Sequence, residues 1–226
     1  VNQKGKVIIE PKFFYGEAFN EGVAAVVIQA PCYIPKSDSI CPKVINLPFG
    51  ASASSDAICM FNLIDKKGNV ISNQRFYQVK EFSEGLAPVL TKEGWGYINK
   101  VGEMVIAPKF DSAEPFSDGL ALIERNNLFG YISKNGAIVI KPQFERAQSF
   151  SDGLATVSKT LDEEDYERFG YYFINKHGKQ AFPAKFILAS HYFKGIAHVL
   201  LKPKLSKKEI DALLEKAHSL NLKIII

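Results

Sequence analysis

The chain has 226 residues, of which 28 are Lys or Arg and 24 are Asp or Glu, so its formal net charge of +4 is small. The basic residues are scattered instead of clustered in a stripe, which argues against a nucleic-acid-binding surface. No segment reaches the roughly 18 apolar residues of a membrane-spanning helix, and the hydrophobic fraction of 46% is ordinary for a folded protein.

Pairs of glycines recur along the chain with a constant separation of 17 residues. The pairs are Gly5/Gly22, Gly68/Gly85, Gly102/Gly119, Gly136/Gly153 and Gly178/Gly195. Successive pairs lie 63, 34, 34 and 42 residues apart, which indicates a unit of about 34 residues with insertions of 29 and 8 residues. This periodicity is typical of repeat architectures, in which a unit buries its apolar face only against its neighbours.

Four further positions keep their chemistry in all five units. A phenylalanine follows the first glycine by eight residues, and another aromatic follows six residues later: Phe13/Phe19, Phe76/Phe82, Phe110/Phe116, Phe144/Phe150 and Phe186/Tyr192. An alanine follows the second glycine by two residues, and a β-branched residue follows two later: Ala24/Val26, Ala87/Val89, Ala121/Ile123, Ala155/Val157 and Ala197/Val199. We expect the aromatics to form the core between units.

Within the third unit, the sequence predicts short strands at residues 97–99, 104–107 and 120–124, because these runs are rich in β-branched, aromatic and other apolar side chains. Residues 99–102, with the sequence NKVG, join the first two strands. An Asx residue, two further positions and a closing glycine suit a type I turn that ends in a left-handed residue.

The rest of the unit is predicted to be less regular. Pro108 is expected to end the second strand, because it has no N–H to donate to a ladder. Residues 110–117 are expected to form an irregular turn, after which Asp118-Gly119 leads into the third strand. Ala121 and Ile123 share one face of that strand, where alanine allows the neighbouring layer to approach closely.

The third unit carries WGYINK at residues 95–100 and FSDGLA at residues 116–121. This pattern resembles the WG (KWG) repeat of bacterial proteins, and the resemblance covers the chain except for residues 28–60 and the tail after about residue 201. The copies are unequal, because the tryptophan or glycine is replaced in FGY at 129–131, FNL at 61–63 and YYF at 171–173. The resemblance implies a β-rich repeat array that mediates interactions, and no catalytic residue comes with it.

The resulting organisation is an all-β array of about five units, each with about three short antiparallel strands, followed by a capping helix. A closed, propeller-like arrangement is the alternative to an open array. We expect a partial first repeat at 1–27, an insertion at 28–60, repeats at 61–94, 95–128 and 129–168, a degenerate fifth repeat at 169–201 and a cap at 202–226.

The C-terminal cap is predicted from a helix signal. Ser206 and Glu209 have the spacing of a capping box, and an apolar stripe follows at helical spacing: Ile210, Leu213, Leu214, Ala217 and Leu220. Residues 223–226 are predicted to form a strand. A helix and a strand here would cover the edge of the last repeat; a partner-docking helix is the competing interpretation.

The insertion at 28–60 is predicted to be a long functional loop. It holds all three cysteines, Cys32, Cys41 and Cys59, together with Tyr33 and four prolines. The cysteine spacings fit no zinc pattern. A disulfide between Cys32 and Cys59, which flank the excursion, is expected if the protein is exported, whereas in the cytosol the cysteines would be reduced thiols.

Three regions are candidates for a binding surface: the cysteine-containing loop, Trp95 and the acidic second insertion. Trp95 is the one tryptophan of the chain, and tryptophan is frequent at recognition sites as well as in cores. The acidic insertion contains Asp162, Glu163, Glu164 and Tyr166 and is either a solvated loop or a docking site for a basic partner.

The sequence favours a non-enzymatic protein-interaction or scaffold module, because no catalytic, metal-binding or cofactor-binding motif is present and none of these groups is expected. The alternative is a module that binds a glycan or another cell-envelope component, or that assists an enzyme. Val1 aligns with Ile64 inside a repeat, so we expect a processed or shortened form. The interpretation leans towards the bacterial cell envelope or secretion, and the protein partner and oligomeric state are not determined by the sequence.

Overall fold

A computed structural model describes residues 7–28, 60–160, 169–181, 186, 188–190, 196–200, 206–219 and 223–225 of the chain. In these residues the chain forms seventeen strands and one helix. They are β1 (Tyr15–Gly16), β2 (Val23–Val27), β3 (Asn62–Asp65), β4 (Gln78–Val79), β5 (Leu86–Thr91), β6 (Gly94–Asn99), β7 (Met104–Phe110), β8 (Ser112–Ala113), β9 (Leu120–Arg125), β10 (Leu128–Ser133), β11 (Ile138–Phe144), β12 (Arg146–Ala147), β13 (Leu154–Thr160), β14 (Phe169–Asn175), β15 (Leu188–Ala189), β16 (Ile196–Leu200), α1 (Lys207–Ser219) and β17 (Lys223–Ile225).

The chain divides into two compact units, Val1–Phe110 and Asp111–Ile226. Among the described residues, the first unit contains sheet 1, with strand order β1-β2-β3, and sheet 2, with order β4-β5-β6-β7. The second contains sheet 3 (β11-β10-β9-β8), sheet 4 (β12-β13-β14) and sheet 5 (β15-β16-β17). The pairing is antiparallel except between β16 and β17, which run parallel. The predicted all-β repeat array with a C-terminal helix is confirmed.

Sheets 1 to 4 each combine strands from two neighbouring sequence units, and sheet 5 joins the fifth unit to the C-terminal cap. The fourth predicted unit, residues 129–168, contributes β10 and β11 to sheet 3 and β12 and β13 to sheet 4. The hairpin of β9 and β10, which pairs Leu128 with Arg125 and Ser133 with Leu120, therefore joins the end of one unit to the start of the next. Because a single unit cannot complete its own hydrogen-bond ladder, the units depend on one another.

The strand opposite Trp95 contains a bulge. In the ladder between β6 and β7, Trp95 pairs with Phe110. Tyr97, two residues later, pairs with Ile106, which lies four residues earlier on β7. Two residue steps on β6 therefore oppose four steps on β7, and the extra length of β7 must be accommodated beside Gly96.

Gly96 is required by the close approach of this bulge. A Cβ atom at Gly96 would lie 2.6 Å from the Ile106 carbonyl oxygen and 2.9 Å from the Pro108 nitrogen, closer than real Cβ contacts. Gly130 has the same role beside β11, because its Cβ would lie 2.6 Å from the Ile140 carbonyl oxygen. The glycine that follows the aromatic residue is therefore needed for space, as expected where another backbone approaches closely.

The prediction that Pro108 ends its strand is wrong. β7 continues through Pro108 to Phe110, and the proline lies in the bulge between the ladder partners Ile106 and Phe110. Because a bulged residue is left out of the ladder, its missing N–H costs no hydrogen bond. Pro142 lies in the same way within β11.

In the two units that lack this glycine, the described residues show isolated bridges and no continuous bulged strand. Asn62 and Tyr172 occupy the position of Gly96 in the second and fifth units. In the described residues of these units, isolated bridges stand where β7 and β11 stand elsewhere: Phe61↔Phe76 and Ile64↔Val70 in one unit, and Tyr171↔Phe186 and Ile174↔Gln180 in the other. Among the described residues, the continuous third strands β7 and β11 both lie opposite this glycine.

The turn between β6 and β7 has the predicted form. Gly102 has a left-handed φ of 80°, and its N–H donates to the Asn99 carbonyl oxygen over 3.0 Å. The Asn99 side-chain oxygen accepts the N–H groups of Val101 and Glu103 over 3.1 and 2.9 Å. The Asx residue therefore holds the turn from its first position.

The acid before the second glycine belongs to a tight hairpin turn. Asp118 and Gly119 both have left-handed φ angles, of 56° and 82°, and Ser117 and Leu120 exchange two backbone hydrogen bonds. Two successive left-handed residues define a type I′ turn, whose twist matches that of a hairpin. The equivalent acids share this conformation: Glu21, Glu84 and Asp152.

The recurring aromatics form cores between consecutive sheets, as predicted. In the compact unit Val1–Phe110, Phe76 and Phe82 cluster with β2 of sheet 1 and with β5 and β6 of sheet 2. In the compact unit Asp111–Ile226, Phe144 and Phe150 cluster with sheets 3 and 4, and Phe186 lies in the cluster that includes sheet 5. Seven of the described phenylalanines at these positions are at most 5% exposed: Phe76, Phe82, Phe110, Phe116, Phe144, Phe150 and Phe186.

The C-terminal helix begins at the predicted capping box. The Ser206 backbone N–H and hydroxyl donate to Oε2 of Glu209 over 2.8 and 2.6 Å, and these bonds lower the pKa of Glu209. Leu213 and the buried Ala217 pack with sheet 5, whose strand β16 pairs with β17. Leu214, assigned to the apolar stripe, is instead 38% exposed.

The two insertions lie in equivalent connections of two different sheets. Residues 29–59 separate β2 from β3 in sheet 1, and residues 161–168 separate β13 from β14 in sheet 4. In sheets 2 and 3 the equivalent connections are the two-residue turns Lys92-Glu93 and Asn126-Asn127. The turns that precede β2, β5, β9 and β13 keep a constant length.

Candidate functional site

The turn acids connect consecutive sheets. Oε2 of Glu21, in the turn before β2 of sheet 1, accepts the N–H of Gly85 over 3.1 Å and contacts the Lys100 ammonium at 2.8 Å, and both partners lie in turns that flank strands of sheet 2. The Lys100 hydrogen bond, followed by that of Gly85, holds the pKa of Glu21 below its ordinary value. Glu21 therefore links sheets 1 and 2 through charge-assisted hydrogen bonds.

The compact unit Asp111–Ile226 has the same link between sheets 3 and 4. Oδ2 of Asp118 accepts the N–H of Gly153 over 2.6 Å, and the Lys176 ammonium lies 4.0 Å away. The Ser117 hydroxyl adds a bond to the Phe150 carbonyl oxygen over 2.6 Å. Hydrogen bonds between equivalent turns therefore supplement the apolar cores.

Substitution Glu21→Gln tests the charge in this link. Because the folded-state pKa of Glu21 is depressed, its contribution is present above the ordinary value of 4.5 and is lost as the pH falls through the folded pKa. We expect Glu21→Gln to lower stability at pH 7 by less than about 1 kcal/mol, since the pair is exposed, and to have a smaller effect at pH 3 than at pH 7. Urea denaturation at both pH values measures this difference.

Glu215→Gln, on the exposed side of α1, is the control for Glu21→Gln and should leave the urea midpoint unchanged at both pH values. A Glu21→Gln effect of equal size at pH 7 and pH 3 would contradict the assignment to the ionised carboxylate.

An open groove of about 730 Å³ lies over sheet 1. We call it the first-sheet groove and define it by its floor of Ala24, Val26 and Ile64 and by its aromatic sides, Phe13, Phe14 and Phe19. The floor residues are buried, with Ile9, Phe13 and Ile28 packed against them. Its volume falls within the range of ligand-binding pockets.

Two aromatic side chains of the groove are exposed, and one of them, Phe19, has equivalents that are buried. Phe14 is 55% exposed and Phe19 is 43% exposed. Phe82 and Phe150, which occupy the position of Phe19 in other units, are 5% and 1% exposed, because they lie in the clusters between sheets. Large exposed apolar patches on a folded protein mark sites of interaction.

A few charged groups border the groove. Glu10, Glu17 and Lys66 contribute to its lining. Partial burial, followed by the proximity of Glu81, raises the pKa of Glu17. The groove therefore combines an apolar floor, aromatic sides and charges at its margin, an arrangement that suits an apolar or amphipathic partner.

Comparison with protein families identifies the repeat. A family model described as a WG containing repeat matches residues 1–29, 63–94, 95–129 and 129–160, which is more than half of the chain. The chain belongs to the WG repeat family. No curated protein and no solved structure matched the chain. The degenerate fifth unit, predicted at 169–201, lies outside the matched residues.

The tryptophan of the WG motif is buried. Trp95 is 7% exposed, and the Lys80 ammonium lies 4.7 Å from the centre of its ring. Its ring therefore does not supply an exposed stacking platform, contrary to the role considered from the sequence. In this WG repeat, Trp95 packs opposite Phe110 while Gly96 makes room for the bulge.

The other candidate residues lie outside the described part of the chain. These are Cys32, Tyr33, Cys41, Cys59, Asp162, Glu163, Glu164 and Tyr166, together with the Cys32–Cys59 disulfide. The structure adds Phe14 and Phe19 as candidate binding residues, which the sequence did not indicate as part of a site.

Two further observations concern the described residues only. They contain no group of three His, Cys, Asp or Glu side chains arranged to hold a metal ion. No helix among them has the length and apolar character needed to cross a bilayer.

Proposed function

We propose that this WG-repeat chain is a non-enzymatic protein-interaction module and that the first-sheet groove is its docking surface. The observation that carries the proposal is the exposure of Phe14 and Phe19 beside an apolar floor, with Phe19 at a repeat position that is buried in other units. Burying aromatic side chains is a common source of binding energy at interfaces.

The cysteine-containing insertion is proposed to contribute to the same surface. Ile28, the last described residue before the insertion, packs against the cluster that forms the groove floor. A chain that leaves the fold beside the groove is well placed to contact the same partner. Cys32, Tyr33, Cys41 and Cys59 are therefore kept as candidate contact residues, and the acidic residues 162–164 with Tyr166 as a second candidate surface.

The double substitution Phe14→Ser/Phe19→Ser tests the groove. Because both side chains are largely exposed, we expect little loss of stability, whereas capture of the partner from a native lysate should fall by about tenfold or more. The matched control is Val101→Ser/Val105→Ser, which removes side chains that are 59% and 45% exposed in the same unit. Quantitative affinity capture compares the three proteins.

Two results would count against the groove as the docking surface. One is equal capture by the wild-type and Phe14→Ser/Phe19→Ser proteins; the other is an equal loss in the control. Deleting residues 31–57 in parallel measures the contribution of the insertion.

Glycan binding is a second candidate, favoured by exposed rings that have Glu10, Glu17 and Lys66 beside them. Aromatic faces with nearby polar groups can bind a sugar as well as a peptide. Calorimetry with soluble cell-envelope glycan fragments separates the two functions. Heat that is present in the wild type and absent in Phe14→Ser/Phe19→Ser would favour the glycan, whereas protein capture without such heat favours the interaction module.

A further inference from the structure

Four hairpin turns among the described residues share one pattern, in which a polar first residue is followed three residues later by a left-handed glycine: 65–69, 99–103, 133–137 and 175–179. In three of them, Oδ1 of the first residue accepts the N–H of the residue after the glycine, over 2.9, 2.9 and 3.1 Å. The acceptors are Asp65, Asn99 and Asn175, and the donors are Asn69, Glu103 and Lys179. We call this contact the closing bond, because it joins the first residue of the turn to its last.

The turn at 133–137 makes its closing bond with a different residue. Its first residue is Ser133, whose oxygen lies one bond nearer the main chain than that of an asparagine. Here the Ala137 N–H donates instead to Oδ1 of Asn135, over 3.1 Å. The Ser133 hydroxyl donates to the same oxygen over 2.6 Å, a shorter contact than its 3.2 Å to the Ala137 carbonyl oxygen. The amide of Asn135 is therefore held by two donors.

Asn135 is followed by Gly136, and the two residues form the one Asn-Gly pair of the sequence. The main-chain nitrogen that follows an asparagine can attack the side-chain amide carbon, and a glycine presents no side chain to obstruct that approach. The residue before the glycine in the other three turns has no side-chain amide: Lys67, Val101 and His177. Asn135 is also exposed, so water reaches it. The reactive pair is therefore specific to this turn.

We propose that Asn135 is a site of spontaneous deamidation and that the hydrogen bonds of its turn limit the rate. The Gly136 nitrogen loses its proton to water and forms a bond to Cγ of Asn135. The bond between Cγ and Nδ2 then breaks, and ammonia leaves after taking up a proton. One water molecule opens the resulting cyclic imide at either carbonyl, which gives aspartate or isoaspartate. Asparagine and water thus become an acidic residue and ammonia.

The folded turn restrains both reacting groups. The Gly136 N–H donates to the Ser133 carbonyl oxygen over 2.8 Å, so the nitrogen has to leave this bond before it loses its proton. The amide of Asn135 turns towards that nitrogen only when its bonds to Ser133 and Ala137 break. The reaction therefore proceeds from an open form of the turn, and its rate follows the population of that form.

The two products differ in their effect on the hairpin of β10 and β11. Aspartate keeps the course of the main chain and its acceptor oxygens, and adds one negative charge. Isoaspartate carries the main chain through the former side-chain carbon, which lengthens the turn by one methylene group. The contact between the Ser133 carbonyl oxygen and the Gly136 N–H then loses its spacing. Isoaspartate is therefore the product that loosens the hairpin.

Peptide mass spectrometry during incubation at mildly alkaline pH tests the site. We expect the folded protein to convert Asn135 to aspartate and isoaspartate while three internal controls stay unchanged, because residues with side chains follow them: Asn99, Asn126 and Asn175. The same incubation in urea removes the turn and should convert Asn135 at least about tenfold faster. An unchanged Asn135 in urea would overturn the site, and equal rates in the folded and unfolded chains would overturn the restraint.

Three substitutions separate the turn bonds from general stability. Ser133→Ala removes one donor to Asn135 and should raise its rate in the folded protein by about fivefold, whereas Ser133→Thr keeps the hydroxyl and should react as the wild type does. Ser117→Ala is the matched control, because it removes a hydroxyl bond of 2.6 Å, to the Phe150 carbonyl oxygen, elsewhere in the same compact unit. It should leave the rate at Asn135 unchanged. No acceleration in Ser133→Ala, or equal acceleration in Ser117→Ala, would refute control by the turn.

Discussion

Substitution Phe150→Ala is expected to lower the free energy of unfolding by about 3–5 kcal/mol, whereas Phe19→Ala, at the same repeat position, is expected to cost about 0.5 kcal/mol or less. Phe150 is 1% exposed, and its ring centre lies 4.7 Å from that of Tyr131 in the cluster between sheets 3 and 4. Phe19 is 43% exposed in the first-sheet groove.

Urea denaturation followed by far-UV circular dichroism measures both variants against the wild type. The comparison holds residue type and repeat position constant, so the difference in unfolding free energy reports how deeply the two rings are buried. The measurement is made at low protein concentration, so that self-association does not contribute. Equal losses in Phe150→Ala and Phe19→Ala under those conditions would contradict the exposure of Phe19.

Substitution Gly96→Ala is expected to cost about 3 kcal/mol, the upper end for overpacking, because its Cβ would meet backbone atoms of the bulge at 2.6 and 2.9 Å. Gly130→Ala should behave alike, since its Cβ would meet the Ile140 carbonyl oxygen at 2.6 Å. Gly16→Ala is the matched control, because the nearest atom to its Cβ is a Val26 methyl at 3.4 Å. Urea midpoints rank these variants.

A second pair of substitutions separates the two reasons for glycine in this repeat. A Cβ at Gly119 meets nothing within 4 Å, but its φ is +82°, so Gly119→Ala should cost roughly 1–2 kcal/mol through backbone strain. Asparagine tolerates left-handed φ. Gly119→Asn should therefore recover part of the loss, whereas Gly96→Asn should be at least as damaging as Gly96→Ala. Recovery at Gly96 would refute the steric explanation.

The features that depend on local chemistry could be predicted from the sequence. The glycine spacing gave the repeat, and the Asn99–Gly102 turn and the Ser206 capping box followed from short-range hydrogen-bonding rules. Burial of the recurring aromatics followed from their periodicity. In each case the deciding partners lie within a few residues or recur in every unit.

The features that depend on a neighbouring sheet were missed or misjudged. Pro108 was expected to end β7 because the bulge is visible only when β6 and β7 are paired. Trp95 was considered for the surface, but its burial depends on the strands on either side. The exposure of Phe19 could not be inferred from its residue type, because its equivalents in the other units are buried.

The placement of the two insertions has a consequence for how this sequence can change. Both interrupt the connection after the second-glycine strand, while the acid–glycine turns that bond one sheet to the next keep their length. The insertions and the hydrogen bonds between sheets therefore lie at opposite ends of the same strand. Such a chain can acquire new peptide segments, one sheet at a time, without altering the contacts that align its repeats, which gives evolution and protein engineering separate access to recognition and to stability.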